Sequence, residues 1–512
     1  MSASPSDLTQ GARKRANGAA SHTGQYAPLS DGASGARSQP AAPAPLAGKI
    51  RIFVTLGLLL LTFSSLSAGR LRDIFGGTTP WSKATPPSGS HASSSLSSSP
   101  AAGTPPADGV PTSEDGLPSL HRRVVAIADI HGSLTNLLTI LSMTHLITQS
   151  SSSSSSATSD PSVVWSPLGA DDVLVSTGDN VDRGDDTIQI YKLWENLRGQ
   201  AGEERVRTCL GNHEVMNALG DWRYVTPGDI KSFGGEKARR HAMSSQGWVG
   251  RNWLDHYNLS YSVDLLDAAK VRELQSSSSS SVREKGIPPL PSSYAPPRTN
   301  FVHGGLHPSF TSRHSLSELN AISHSFLTKA LDAAAQGIEL RGYLPPGTTQ
   351  EEMAMWGEKG PYWYRGYSYE KEVDACRIAK EAMEGLKEGV GQIVMGHTPT
   401  FEHFVHRCPP RYEASTPTRP IPPLSSPPLI NLIDTGISPA YSGVLSSLVF
   451  ETWLHPEKKR NTPEEAAVEE EGEGTWEWVE KRTMRALYKE QGSAPGKGEW
   501  EDLVFEGRRV IV

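Results

Sequence analysis

Residues Val124 to Gly132, reading VVAIADIHG, decide the fold. Five small or apolar residues run into Asp129, Ile130, His131 and Gly132, and leucines then recur at 134, 137, 138 and 141 with helical spacing. A strand that feeds a helix through a short polar turn has this pattern. Working outward, the same grammar recurs. Val173 to Thr177 leads into Gly178-Asp179 and a helical Ile188 to Leu197; Val206 to Leu210 leads into Gly211-Asn212-His213-Glu214. Phe301-Val302 precedes His303-Gly304-Gly305, Ile393 to Met395 precedes Gly396-His397-Thr398, and Leu429 to Ile433 precedes Asp434-Thr435-Gly436. Alternating strands and helices predict an α/β fold, a β-sandwich flanked by helices, and continuous apolar runs mark strands buried on both faces. In such folds ligands gather beyond the carboxyl ends of strands, which is where each polar cluster falls.

The rest of the 512 residues divides by composition. Residues 1–48 and 71–120 are rich in Ser, Ala, Pro and Gly and too poor in large apolar side chains to offset ordering entropy, so both predict disorder. Between them, 49–70 holds the uncharged run Ile52 to Ala68, bracketed by Lys49, Arg51, Arg70 and Arg72. That run predicts a single-pass transmembrane anchor in the endomembrane system, at the short end of the roughly 17–25 residues a span requires. A cleaved signal peptide is the alternative reading. The flanking charges favour a lumenal catalytic part, with a cytosolic one as the alternative. Residues 121–455 form the expected catalytic domain, interrupted by serine tracts at Ser150 to Ser156 and Gln275 to Ser281 that read as surface insertions. Residues 456–512 are charged and read as a solvated tail or edge helix, although Trp476, Trp478, Val479, Met484 and Leu487 could dock it on the domain. A net charge of -7 offers no broad basic field for a nucleic-acid partner. Cys209, Cys376 and Cys408 make an odd count without CxxC spacing, which argues against a disulfide framework or a thiolate metal site.

Asp129, His131, Asp179, Asn212, His303 and His397 are oxygen and imidazole donors, the types that suit Mn, Fe or Zn. Singly, an aspartate after a strand is usually a cap and a buried histidine is usually just hydrogen-bonded. With Asp434, such residues stand at six strand ends beside glycine, a recurrence with no shared structural explanation. The series resembles the calcineurin-like metallophosphoesterases, and within them the phosphoprotein phosphatase group and the Shewanella-like protein phosphatases. The family's first motif stands as Ala128 to Gly132, the second is intact from Gly178 to Gly184, the third is Gly211 to Glu214, and HGG and GHT lie at His303 to Gly305 and Gly396 to Thr398.

This resemblance implies two divalent metal ions, one held by Asp129, His131 and Asp179, the other by Asp179, Asn212, His303 and His397. Two such cations share a water, lower its pKa and clamp both oxygens of an in-line displacement. Arg183 and Arg365, with Asn212, would bind phosphate through forked guanidinium contacts. Otherwise Arg183 pairs with Asp185 or Asp186, and Arg365 is an ordinary exposed residue. His213 would protonate the leaving group, with Asp182 raising its pKa and fixing its ring. Glu214 is expected to fix its loop, and Asp434 to support His397 or a neighbouring loop. His307 reads as loop structure or a substrate-side contact. Two departures stand out: Ala128 replaces a glycine, and Ser133 stands where the group often has aspartate. The implied activity is hydrolysis of phosphomonoesters, on phosphoprotein Ser, Thr or Tyr. The alternatives are a small phosphoester or dinucleoside polyphosphate substrate, or an inactive membrane-tethered scaffold.

Overall fold

The computed structural model describes residues 111–113, 115–149, 163–276, 282, 285–409, 423–459 and 475–512. Fourteen strands are found among them: β1 Leu120–Ile127, β2 Ile147–Gln149, β3 Val163–Trp165, β4 Val173–Ser176, β5 Val206–Cys209, β6 Tyr257–Asn258, β7 Ser260–Asp264, β8 Arg298–Val302, β9 Val390–Met395, β10 Val405–Arg407, β11 Ile430–Leu432, β12 Leu445–Lys458, β13 Trp476–Lys489 and β14 Glu499–Ile511. They form a seven-stranded sheet in the order β14-β13-β12-β1-β4-β5-β6, a five-stranded sheet β10-β11-β9-β8-β7, and the small hairpin β2-β3. β1, β4, β5 and β6 run parallel, as do β8, β9 and β11. Helices lie in the connections from β1 to β4, β4 to β5, β5 to β6 and β8 to β9, the crossover that parallel neighbours usually take, whereas β9 reaches β11 by way of β10.

The two sheets face one another. Phe301 of β8 meets Phe450 of β12 edge to face at 6.2 Å, and Gln392 of β9 reaches Met484 of β13. β4 is buried along its whole length, as are the last four residues of β1, Val124 to Ile127, which matches their apolar runs. One continuous apolar core fills the sandwich and extends to the surrounding helices. The helices Leu134–Met143 and Thr187–Ala201 follow β1 and β4, while Glu372–Leu386 packs on β9. The parallel strands therefore point their carboxyl ends to one region from both sheets.

Four expectations are corrected. No helix among the described residues is long and apolar enough to cross a membrane, and the run over 49–70 lies outside those residues. Membrane anchoring, and the endomembrane placement built on it, is therefore withdrawn. Both tracts expected to be disordered also lie largely outside them, but the second ends earlier than its composition suggests. Leu117 packs on an apolar cluster with Leu120, Leu266 and Trp478, and Thr112 bridges Pro118.

The described residues of the charged C-terminal segment form strands, not a tail or a helix. β12 continues to Lys458, and β13 and β14 pair antiparallel beyond it. Their charged side chains pair across strands, Arg485 with Glu501 and Lys481 with Glu457, while Met484, Ala486, Val504 and Phe505 are buried. Finally, Cys376 and Cys408 are joined in a disulfide with a Cα separation of 5.5 Å, and Cys209 is a free, buried thiol. Cys376 lies on the helix Glu372–Leu386 and Cys408 just after β10, a proximity that only tertiary packing creates.

Candidate metal centre and phosphate site

Both sheets contribute buried polar residues from their strand ends. β1, β4 and β5 deliver Asp129, Asp179 and Asn212, while β8, β9 and β11 deliver His303, His397 and Asp434; all six are buried. The loops after β1 and β4 are tied together: the N–H groups of Ile130 and His131 donate to the Asp179 carbonyl, and that of Gly132 to Asn180. The backbone is bent hard here. His131, Asp179, Asp182, Arg183 and His397 have φ values of 46°, 53°, 72°, 65° and 67°. Non-glycine residues rarely adopt this left-handed region, and its cost of order 1–3 kcal/mol per residue is tolerated where the surroundings impose it. Close approach explains two of the glycines. A Cβ on Gly211 would lie 2.0 Å from Asp179 Oδ1, and one on Gly396 would lie 2.2 Å from Asp129 Oδ1.

The ring tautomers are set by carbonyls. His131 Nδ1 donates to Val181 O and His303 Nδ1 to Thr177 O, each at 3.0 Å, so both Nε2 atoms face inward. Around His303 Nε2 stand Asn212 Oδ1 at 2.8 Å, His397 Nδ1 at 3.1 Å and Asp179 Oδ2 at 3.2 Å. Four lone-pair donors converging in a buried pocket repel one another unless a proton or a cation sits among them. His131 Nε2 likewise faces Asp129 Oδ2 at 3.9 Å and Asp179 Oδ2 at 3.8 Å. Hard oxygen and imidazole donors in two clusters that share Asp179 fit a pair of divalent cations.

The electrostatics agree. Burial, with Asp434 and Asp179 nearby, holds the Asp129 carboxyl well above its usual range. Burial also lifts Asp434, to about 6. Burial acts against ionised Asp179, but His303, His213 and His131 outweigh it and keep the group well below that range. Burial and the neighbouring His213 push His131 down to about 4, which favours the neutral ring a metal requires.

His213 stands beside these donors with a different partner. Its Nδ1 is 2.6 Å from Asp182 Oδ2, and its Nε2 lies 3.8 Å from Asp179 Oδ2. Although burial lowers the pKa of this ring, Asp179 and Asp182 raise it above its ordinary value. Its donor atoms lie near enough to those of His131 and Asp179 for metal binding. The short Asp182 contact instead gives it the partner of a proton carrier.

Neither alternative reading of the two arginines matches the geometry. The Arg183 guanidinium lies between two aromatic faces, 4.4 Å from the Tyr224 ring centroid and 4.7 Å from that of Tyr441. Among the described residues no carboxylate pairs with it: Asp185 bonds Thr226, and Asp186 accepts from the Leu134 N–H. This last contact places a carboxylate at the helix start where Ser133 provides none. Arg365 is half-buried and donates through Nη1 to His397 O at 2.8 Å and Thr398 Oγ1 at 3.1 Å.

The supporting residues divide clearly. The Glu214 carboxylate accepts from the N–H groups of Asp179, Asn180 and Gly211 and from the Tyr191 hydroxyl, so it fixes loops. Asp434 accepts from Gly436 N–H within its own loop. His307 caps a short helix through Ser309 N–H and stays outside the donor clusters. Sequence reasoning missed a buried chain behind Asp182. Asn217 donates to Asp182 Oδ1 at 2.9 Å and accepts from Arg239, which in turn binds Asp229. Asn217 follows His213 by four residues on one helix, a readable spacing, whereas nothing local marks Arg239.

A sandwich that pools aspartate, asparagine and histidine donors at facing strand ends, with arginines beside them that have no carboxylate partner among the described residues, defines a metal-dependent phosphoesterase. The calcineurin-like phosphoesterase profile matches residues 122–401, and the chain belongs to that family. It is 30% identical over 324 residues to an uncharacterised protein of Schizosaccharomyces pombe, covering 62% of this chain and 74% of the other. Shewanella-like protein phosphatase 2 of Arabidopsis thaliana is 34% identical over 113 residues, 22% of this chain and 25% of that one. A solved cold-active protein-tyrosine phosphatase from a psychrophilic Shewanella species has 21% identity and a TM-score of 0.40, covering 64% of this chain and 74% of its own.

Proposed function

We propose that this chain is a metal-dependent phosphatase that hydrolyses phosphomonoesters on Ser, Thr or Tyr side chains of proteins. The observation that carries the reading is Arg183, stacked between Tyr224 and Tyr441 with no carboxylate partner among the described residues, together with Arg365 bonded to the backbone of the donor His397. Two cationic forks free of internal anions suit a dianionic phosphate. Asp129, His131 and Asp179 would hold one Mn, Fe or Zn ion and Asp179, Asn212, His303 and His397 the other. Bound there, the pair supplies charge neutralisation and a water acidified toward neutral pH. Arg183, Arg365 and the Asn212 amide orient the phosphate. His213 gives its Nε2 proton to the departing oxygen, while Asp182 holds the ring and favours its charged form.

Purified protein supplied with Mn²⁺ is expected to hydrolyse p-nitrophenyl phosphate and a phosphopeptide, and chelation is expected to abolish both activities and lower the melting temperature. Undiminished turnover by Asp179→Asn would remove the mechanism. Much faster turnover of nucleotides than of any phosphopeptide would replace the substrate class.

A further inference from the structure

A groove of about 730 Å³ opens from the phosphate site, with Arg365 and Tyr224 lining it. Its floor is Met216 and Leu219, which follow His213 on the helix Asn212–Ala218 and its cap. Its wall is aromatic and continuous with the metal centre. The Trp363 ring meets His397 edge-on at 5.6 Å, and Trp356 meets Trp363 at 5.3 Å. Tyr369, 73% exposed, stands farther along the same groove.

Charge narrows the occupant. Besides Arg365, the lining cations are Arg223 and Lys359, set against Asp221, Glu358 and Glu370. Arg223 is already held by both oxygens of Asp221, at 2.9 and 2.7 Å. A polyphosphate chain needs several cations beyond the first phosphate, and here the three cations, Arg365 included, are matched by three carboxylates. A groove much larger than one phosphate, aromatic along its wall and open at its end, suits an extended polypeptide.

We propose that this groove seats the polypeptide beside the phosphorylated residue of a protein substrate and selects a large apolar side chain against Trp356 and Trp363. This rests on the phosphatase reading above. Tyr369 closes over the outer part of the segment, and Met216 and Leu219 exclude water beneath it.

The test compares phosphopeptides that carry Leu or Ala at each position flanking the phosphorylated residue, with the full-length protein and Mn²⁺. At one flanking position kcat/KM is expected to be about tenfold higher with Leu, the usual selectivity of an apolar pocket. In Trp356→Leu and in Tyr369→Ala that preference is expected to shrink to roughly threefold or less. Trp356 also packs on Phe326 and Tyr362, so if that variant does not fold, the exposed Tyr369 carries the test. Equal rates at every flanking position, or an intact preference in the folded variants, overturn the proposal. If phosphopeptides are hydrolysed without any flanking preference, the groove inference falls alone; if p-nitrophenyl phosphate is hydrolysed but no phosphopeptide is, the protein-substrate reading falls with it. If neither is hydrolysed, the phosphatase reading falls with it.

Discussion

His213 and Asp182 meet at 2.6 Å in a site where burial alone would neutralise the imidazole. The carboxylates of Asp179 and Asp182 reverse that tendency, so the ring keeps its proton to higher pH than an isolated histidine. A general acid works while protonated and fails as pH rises through its pKa. Asp182→Asn is therefore expected to move the alkaline limb of the rate profile to lower pH. His213→Ala is expected to lower kcat on an alkyl phosphate by about 10²–10⁴ and to cost far less on p-nitrophenyl phosphate, whose leaving group needs no proton. Equal losses on both substrates would deny His213 that role. The donors of this site could be read in the sequence because each ends an apolar strand beside glycine. Tyr224, Tyr441 and Arg239 could not, since a ring over a guanidinium and an arginine behind an asparagine arise from distant segments meeting in space.

At the scale of elements, strand-to-turn junctions near the site follow local pattern, while the C-terminal strands do not. β13 and β14 carry charge on their outer positions, which imitates a solvated segment until cross-strand partners are known. Glu457 shows how those charges act: its carboxylate meets Lys481 of β13 at 2.9 Å, Arg508 of β14 at 3.0 Å and His455 at 2.9 Å. Lys481 above all, with Arg508 and His455, depresses this carboxyl to about 2 from the ordinary 4.5. The sign follows directly. The folded state prefers the ionised form, so the stabilisation is whole above 4.5 and is lost as pH falls toward 2. Glu457→Gln is expected to lower the melting temperature modestly at pH 7, with about 1 kcal/mol or less at stake for so accessible a pair. Wild type and variant should converge in acid. A difference that persists at the acid end would point to packing instead.

For the whole molecule, the seven-stranded sheet is incomplete without its last two strands. Removing residues 459–512 would strip β12 of one of its two partners, β13, and uncover the core surface now covered by Met484, Ala486, Tyr488, Val504 and Phe505. An unpaired edge of that length invites association between chains. The truncated protein is expected to be insoluble or to lose its cooperative thermal transition; a soluble, sharply melting product would make the strands dispensable. The disulfide was equally invisible to spacing rules, because Cys376 and Cys408 belong to separate elements that only the finished sandwich brings together.

The contribution of donors from both sheets has a further consequence. In chain order Asp129, His131, Asp179 and Asn212 all precede Ser276, and His303 and His397 both follow Lys285. Severed between those two residues, the protein becomes two fragments, neither carrying the whole ligand set. Restored turnover on mixing would then signal that the pieces had found each other, making the centre a built-in gauge of reassembly.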